Sequence, residues 1–174
     1  IFPTRFGSNN FVHVDVDRLR PLHPAYLPMM SDPATELLAP TAVQRDCSKW
    51  ADQLRDLAIA ERRHMLVENT MRSPEQVRET ANALRNAGYK TEARLLAVHP
   101  FTSEVALLNR YEIEKRTLGF GREMPLEYHN LAASGLVDTV RSMEEECLVD
   151  HLTVVDRAGN IVYDNHLVNG QWGI

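Results

Sequence analysis

The chain has 174 residues, 44% hydrophobic and 25% charged, with a formal net charge of −5, which is ordinary globular composition in a length that sustains one domain with a real core. An acidic balance excludes a protein that holds nucleic acid through a general basic excess, and no apolar run approaches the roughly 20 residues of a membrane span. Sixteen of the nineteen basic residues are arginine, the side chain whose planar fork suits local anion sites.

Cys47 and Cys147 are far apart, with no CxxC and no Cys/His cluster. Neither a disulfide framework nor a zinc site is indicated, so both read as core residues of a protein in a reducing, cytoplasmic setting. The N-terminus lacks a basic segment followed by an apolar one, the mark of a signal peptide. The first residues, Ile1-Phe2-Pro3-Thr4-Arg5-Phe6-Gly7, read as the tail of an element.

Taken in order, Phe11–Asp17 alternates and is β-branched, which predicts a strand ending in the carboxylates Asp15 and Asp17. A Pro-rich connection follows. From Thr41 to Arg63, Val43, Cys47, Trp50, Leu54, Leu57 and Ile59 recur at helical spacing, with Thr41 as cap. Met65–Glu68 reads as a buried strand that opens into Asn69, Thr70 and Arg72. Ser73, Pro74 and Gln76 start a helix that ends at Gly88. Lys90–Val98 is a strand with a continuously apolar second half. Thr102–Thr117 is helical, with Val105, Leu108, Tyr111 and Ile113 expected inward and Arg110 near its middle. Gly119-Phe120-Gly121-Arg122 interrupts it, a helix resumes from Leu126 to Cys147, and Arg157-Ala158-Gly159-Asn160 joins two final strands as a hairpin.

Strands alternating with helices of these lengths predict an α/β three-layer sandwich with a mainly parallel sheet, in a single domain over residues 1–174. Sites in such folds lie at the carboxyl ends of the strands, where Asp15, Asp17, Glu68, Asn69, Thr70 and Arg72 are expected to converge. Carboxylates that can take a proton, facing guanidinium groups that pair bidentately with phosphate oxygens, are what phosphoryl transfer requires. The Gly-Phe-Gly-Arg segment reads either as an ordinary helix–helix connection or as a mobile lid carrying Arg122.

The motifs Val14-Asp15-Val16-Asp17, Leu22-His23-Pro24, Leu66-Val67-Glu68-Asn69-Thr70-Met71-Arg72, Ala87-Gly88-Tyr89 and Asn109-Arg110-Tyr111-Glu112, with the Arg122 segment and the closing Val154–Asn165 pattern, resemble those of zeta toxins. These are the kinase components of toxin–antitoxin systems, related to P-loop nucleotide kinases. The resemblance runs from about Asn10 to Asn165. It implies an ATP- and Mg²⁺-dependent kinase that phosphorylates a hydroxyl of UDP-N-acetylglucosamine, with an antitoxin protein as a partner and no nucleic acid or membrane. Carried over by position, Asp17 is the catalytic base, and Arg110 and Arg122 neutralise the transferring phosphate. Asp52, Glu68, Thr70 and Arg72 bind the nucleotide sugar. Asn69 stands where the family more often has glycine.

The sequence contains no G-x-x-x-x-G-K-[ST] loop to cradle nucleotide phosphates, and no metal ligand is assigned. The expectation is an N-terminally incomplete kinase domain, its first strand and phosphate loop missing, with Ile1-Phe2 continuing the helix that follows that loop. The chain by itself is then not expected to bind ATP in the usual way. An inactive remnant acting by protein binding, or a kinase for another small acceptor, are the alternative readings.

Overall fold

The computed structural model describes residues 10–173, so the segment around Ile1-Phe2 lies outside the described residues. By its contacts the chain divides into two compact units. The first holds described residues 10–69 with Val105–Met124, and the second holds Thr70–Glu104 with residues from Pro125 onward.

In the first unit, β1 (Val12–Asp15) lies parallel to β2 (Met65–Glu68), with Val12 opposite Met65 and Asp15 opposite Glu68. Expected as a strand through Asp17, the first segment stops at Asp15 instead. The Asp15 carboxylate accepts the Asp17 backbone N–H at 2.8 Å and caps α1 (Val16–Leu19), which moves Asp17 from a strand end to a first helical turn. A 3-10 turn at Arg20–Leu22, α2 (Tyr26–Met30) and a second 3-10 turn at Glu36–Leu38 lead into α3 (Ala39–Ala60).

The long helix forms where its periodicity predicts, but Thr41 does not cap it. The helix grows directly from the second 3-10 turn with Leu38 at the cap position, and Pro40 sits in the first turn, where its missing N–H costs nothing. Ala39, Val43, Cys47, Ala51 and Ala58 bury one stripe. Val43 and Cys47 join Tyr26, Met30 and Ala39 in a core, with Trp50, Val16, Leu19 and Phe120 packed against it. Leu57, expected inward, is exposed at the edge of that stripe.

The second unit contains α4 (Pro74–Asn86), β3 (Glu92–Leu96), α6 (Leu126–Glu145), β4 (His151–Val155), β5 (Ile161–Val168) and β6 (Gln171–Trp172). Ser73 accepts the Gln76 N–H at 3.3 Å and caps α4, and Gly88 ends it at φ 81, both as the residue types require. In the sheet β3 is parallel to β4, while β4–β5 and β5–β6 are antiparallel. Asp156 builds the hairpin turn by accepting from the backbone of Ala158 and Asn160.

Expected over Lys90–Val98, the strand β3 stops at Leu96, and its burial alternates despite the apolar run at its end. Ala93 and Leu95 are buried against Ala81, Met143, Leu148, Val149 and Leu152, while Leu96 is exposed. Cys147 is only half-buried and stands just past the end of α6 at φ 52, so it is not a core residue in the sense that Cys47 is.

The helix α5 (Pro100–Leu118) crosses the boundary of the units, and its segment from Val105 belongs to the first. Its expected inward residues Val105, Leu108 and Ile113 are exposed. Arg110, Tyr111, Glu114 and Lys115 are half-buried instead, at the i, i+1, i+4, i+5 spacing of one helix face. For Val105 and Ile113 the reason is angular, since their spacing puts them well off the Tyr111 face, whereas Leu108, three residues before Tyr111, borders that face and is exposed all the same. No helix among the described residues is long and apolar enough to cross a membrane.

Candidate functional site

The polar centre of the first unit is built on Asp17. Its carboxylate pairs with Arg20, one helical turn on, at 2.6 Å, and with Arg122 from the connection after α5. The Asp17 side chain keeps 46% of its surface open to solvent, whereas the Arg122 side chain keeps 17%. A reachable carboxylate beside a largely enclosed guanidinium is the result.

Arg122 is held by its backbone. Its N–H donates to Glu114 Oε2 at 2.8 Å, and the neighbouring Gly121 N–H donates to Glu36 Oε1 at 3.0 Å. Glu36 is buried and also accepts from Lys115 Nζ at 2.6 and 2.8 Å. Those hydrogen bonds, from Lys115 first and the Gly121 backbone second, hold its carboxyl below the ordinary glutamate range. Phe120 packs into the core beside them. A side chain at position 121 would place its Cβ 2.6 Å from the Tyr111 carbonyl oxygen, so only glycine permits the approach. The segment read as a mobile lid is thus tied down by an ion pair, two backbone hydrogen bonds and an aromatic anchor.

Arg110 shares the half-buried face of α5 with Glu114, whose carboxylate lies 3.9 Å from its Nε. Burial pushes the Arg110 guanidinium below its ordinary pKa, and the like charge of Arg122 pushes the same way, against Glu114 and Asp17. Among the described residues the buried Nε and Nη2 of Arg110 and the Nε of Arg122 and Arg20 have no hydrogen-bond partner. Buried donors of that kind are costly unless something accepts from them. Three guanidinium groups gathered near one carboxylate make this corner positively charged, which suits an anion with several oxygens once side chains shift to expose the enclosed nitrogens. Tyr26 borders the same cluster, its hydroxyl pKa raised first by burial.

The remaining candidates fall in different surroundings. Glu68, opposite Asp15 in the strand register, lies 3.2 Å from His13 Nε2 and is partly exposed. His13, Asp15 and Glu68 can each bring one ligand atom within 4.8 Å of the others, which makes these strand ends the part of the unit able to hold a cation. Asp52 is exposed on α3 and pairs with Arg55 at 2.9 Å. Thr70 and Arg72 belong to the second unit and are exposed there. The Arg72 carbonyl comes so close to Gly135 of α6 that a Cβ there would lie 2.1 Å away. His23 is occupied locally: it stacks on Trp50, accepts the Ala25 N–H and faces Asp46 at 3.5 Å.

Sequence reading missed Arg20, Glu36, Glu114 and Lys115 as members of the site. Arg20 carries a signal, its i, i+3 spacing from Asp17 on a short helix. For Glu36 there is none, since its partners are Lys115 and Gly121, far along the chain.

The profile described as Zeta toxin matches residues 4–168. The chain belongs to the zeta toxin family. It is 29% identical over 159 residues to "Toxin PezT" of Streptococcus pneumoniae, an alignment that covers 91% of this chain and 62% of that toxin. A solved structure from the molecular and structural characterization of the PezAT chromosomal toxin–antitoxin system of the same organism superposes with a TM-score of 0.75 at 25% identity, covering 89% of this chain and 61% of the other. The fold is therefore the mixed α/β, P-loop-kinase-like architecture of zeta toxins, and this chain spans about three fifths of the length of these two relatives.

Proposed function

We propose that the intact protein is a phosphotransferase of zeta-toxin type, which moves a phosphoryl group from ATP to a hydroxyl of UDP-N-acetylglucosamine or a similar nucleotide sugar. The observation that carries this reading is the Asp17 carboxylate set against Arg122 and Arg20, with unpartnered buried donors on Arg110 and Arg122 close by in the electrostatics of the site.

In this reading Asp17 accepts the proton of the acceptor hydroxyl, for which its solvent-open carboxylate is suited. Arg122 holds that carboxylate in position and, with Arg110, offers N–H groups to phosphoryl oxygens whose charge must be spread during transfer. Their enclosure strengthens each such contact, because little water competes. Glu36 and Glu114 keep the Arg122 backbone in place, so the guanidinium is organised before any ligand arrives. Glu68, Asp52, Thr70 and Arg72 would contact the nucleotide sugar.

ATP would supply the phosphoryl group and Mg²⁺ would neutralise its oxygens. The unpartnered guanidinium nitrogens fit the phosphate, while a G-x-x-x-x-G-K-[ST] loop to cradle it is not in this sequence. The activity is accordingly assigned to the intact protein, as a cytoplasmic toxin with a cognate antitoxin as its partner. The solved relative comes from a toxin–antitoxin system, which supports that assignment.

The deciding experiment incubates the intact protein with γ-labelled ATP, Mg²⁺ and UDP-N-acetylglucosamine. Label on the sugar, abolished by Asp17→Asn, is the expected result. Label that persists in that variant, or none on any nucleotide sugar, overturns the reading.

A further inference from the structure

Away from the arginine cluster, the sheet of the second unit carries a group that the proposed phosphoryl transfer does not use. Glu92, His151 and His166 are successive cross-strand partners on β3, β4 and β5, and Asp164 lies two residues from His166 on the same face. The rings of His151 and His166 stack with centroids 3.8 Å apart, inclined by 16°. Both direct Nε2 at one carboxylate: His151 lies 2.6 Å from Asp164 Oδ1, and His166 lies 3.7 Å from Asp164 Oδ2. One ligand atom from each of the three residues falls within 4.8 Å of the others.

Imidazole nitrogens are among the commonest metal ligands, and two of them stand here beside one carboxylate. The other nitrogen of His151, Nδ1, faces Glu92 Oε2 at 3.6 Å, and Glu92 is itself held by Arg94 at 3.1 Å. A carboxylate facing the distal nitrogen is an arrangement commonly found around histidine ligands. The Thr153 hydroxyl, 3.0 Å from both His151 Nε2 and Asp164 Oδ1, belongs to a buried side chain and steadies the same corner.

We infer that His151, Asp164 and His166 form a divalent transition-metal site of two imidazoles and one carboxylate, suited to Zn²⁺, with Glu92 as the carboxylate that orients His151. Two nitrogens and an oxygen in a compact set, with a coordination position left for water, match the preference of that ion for tetrahedral N/O ligation. Ligands about 2.0–2.1 Å from a central ion are separated by roughly 3.3 Å in a tetrahedral arrangement. The contacts at 2.6 and 3.7 Å bracket that separation, and the exposed His166 ring turns out of the stack so that both lone pairs meet one ion. On binding, the metal takes the place of the direct contact between His151 and Asp164. His166, 59% exposed, provides the open side through which the ion enters.

Equilibrium dialysis of the full chain against Zn²⁺, with Co²⁺ absorption as a spectroscopic reporter, tests this directly. One ion per chain and Co²⁺ bands of a tetrahedral N/O set are expected. His166→Ala, whose exposed side chain makes loss of fold improbable, should weaken binding by more than about a hundredfold, and Glu92→Gln by about tenfold to a hundredfold. Asp164→Asn serves as the second ligand variant, with circular dichroism in the absence of metal as the check on folding. Glu68→Gln should leave uptake unchanged, which separates this site from the His13, Asp15 and Glu68 group. No stoichiometric uptake, or equal uptake by folded His166→Ala, or loss of uptake in Glu68→Gln alone overturns the assignment. Phosphotransfer is not among the readouts, so the result stands apart from that of the proposed kinase.

Discussion

Asp17 and Arg122 form an ion pair across the first unit, one from the first turn of α1 and the other from the connection that follows α5. The carboxylate is the more open partner and the guanidinium the more enclosed. Desolvation of the enclosed guanidinium offsets much of its attraction to the carboxylate, so the pair adds little net stability. Such a pair is better explained by what it positions than by what it stabilises.

Replacing Asp17 with Asn keeps the size and an acceptor oxygen but removes the base. Turnover of the intact protein should fall by about 10²–10⁴, the usual contribution of a general base, while the melting temperature barely changes. Label transfer and a thermal melt on the same preparation check both halves. A large fall in both would make Asp17 a structural residue.

Arg122→Lys keeps the charge and loses the fork. Because phosphate charge matters more in the transition state than in bound substrate, kcat should drop well before KM rises. Arg110→Lys should behave alike, since the donors of an ammonium radiate from one nitrogen and do not reproduce the planar spread of Nε and Nη2. Steady-state kinetics separate the two parameters, and a change confined to KM would assign these residues to ground-state binding.

Glu36 predicts a pH signature. Its carboxyl titrates below the ordinary range in the folded protein because Lys115 and the Gly121 N–H donate to the ionised form. A depressed folded pKa means that the stabilisation is complete above the unfolded value of about 4.3 and is lost as pH falls through the lower folded value. Glu36→Gln should thus cost about 1–3 kcal/mol near neutrality, first from the lost charge pairing with Lys115 and then from the weaker acceptor left for the Gly121 N–H. Denaturant melts across pH should show that gap closing in acid.

Gly135 and Gly121 are places where another backbone comes too close for a Cβ. Gly135→Ala would put a methyl 2.1 Å from the Arg72 carbonyl oxygen, and Gly121→Ala would put one 2.6 Å from that of Tyr111. Backbone must shift in each, at a cost of about 1–3 kcal/mol. Gly121→Ala should also slow transfer, because it displaces the residue beside Arg122. Melts and kinetics on the two variants distinguish these effects.

The sequence by itself determined the parts governed by neighbours along the chain. Val43 and Cys47 recur at helical spacing and α3 forms there; Ser73, Pro74 and Gln76 start α4; Gly88 takes its positive φ; Met65–Glu68 is a strand within the residues expected, although half-buried and not buried as its apolar run suggested. Motif order alone pointed to the zeta toxin family, to which the chain belongs. Only the tertiary structure decided which face of α5 turns inward, because the choice depends on what Arg110, Glu114 and Lys115 meet, and apolar residues spread around a helix do not define a face. It alone moved Asp17 onto a helix, where Asp15 could cap it, and it alone disclosed Glu36 as the anchor of the arginine segment. Those contacts join residues remote in sequence, and no local propensity encodes a partner that folding has yet to bring near.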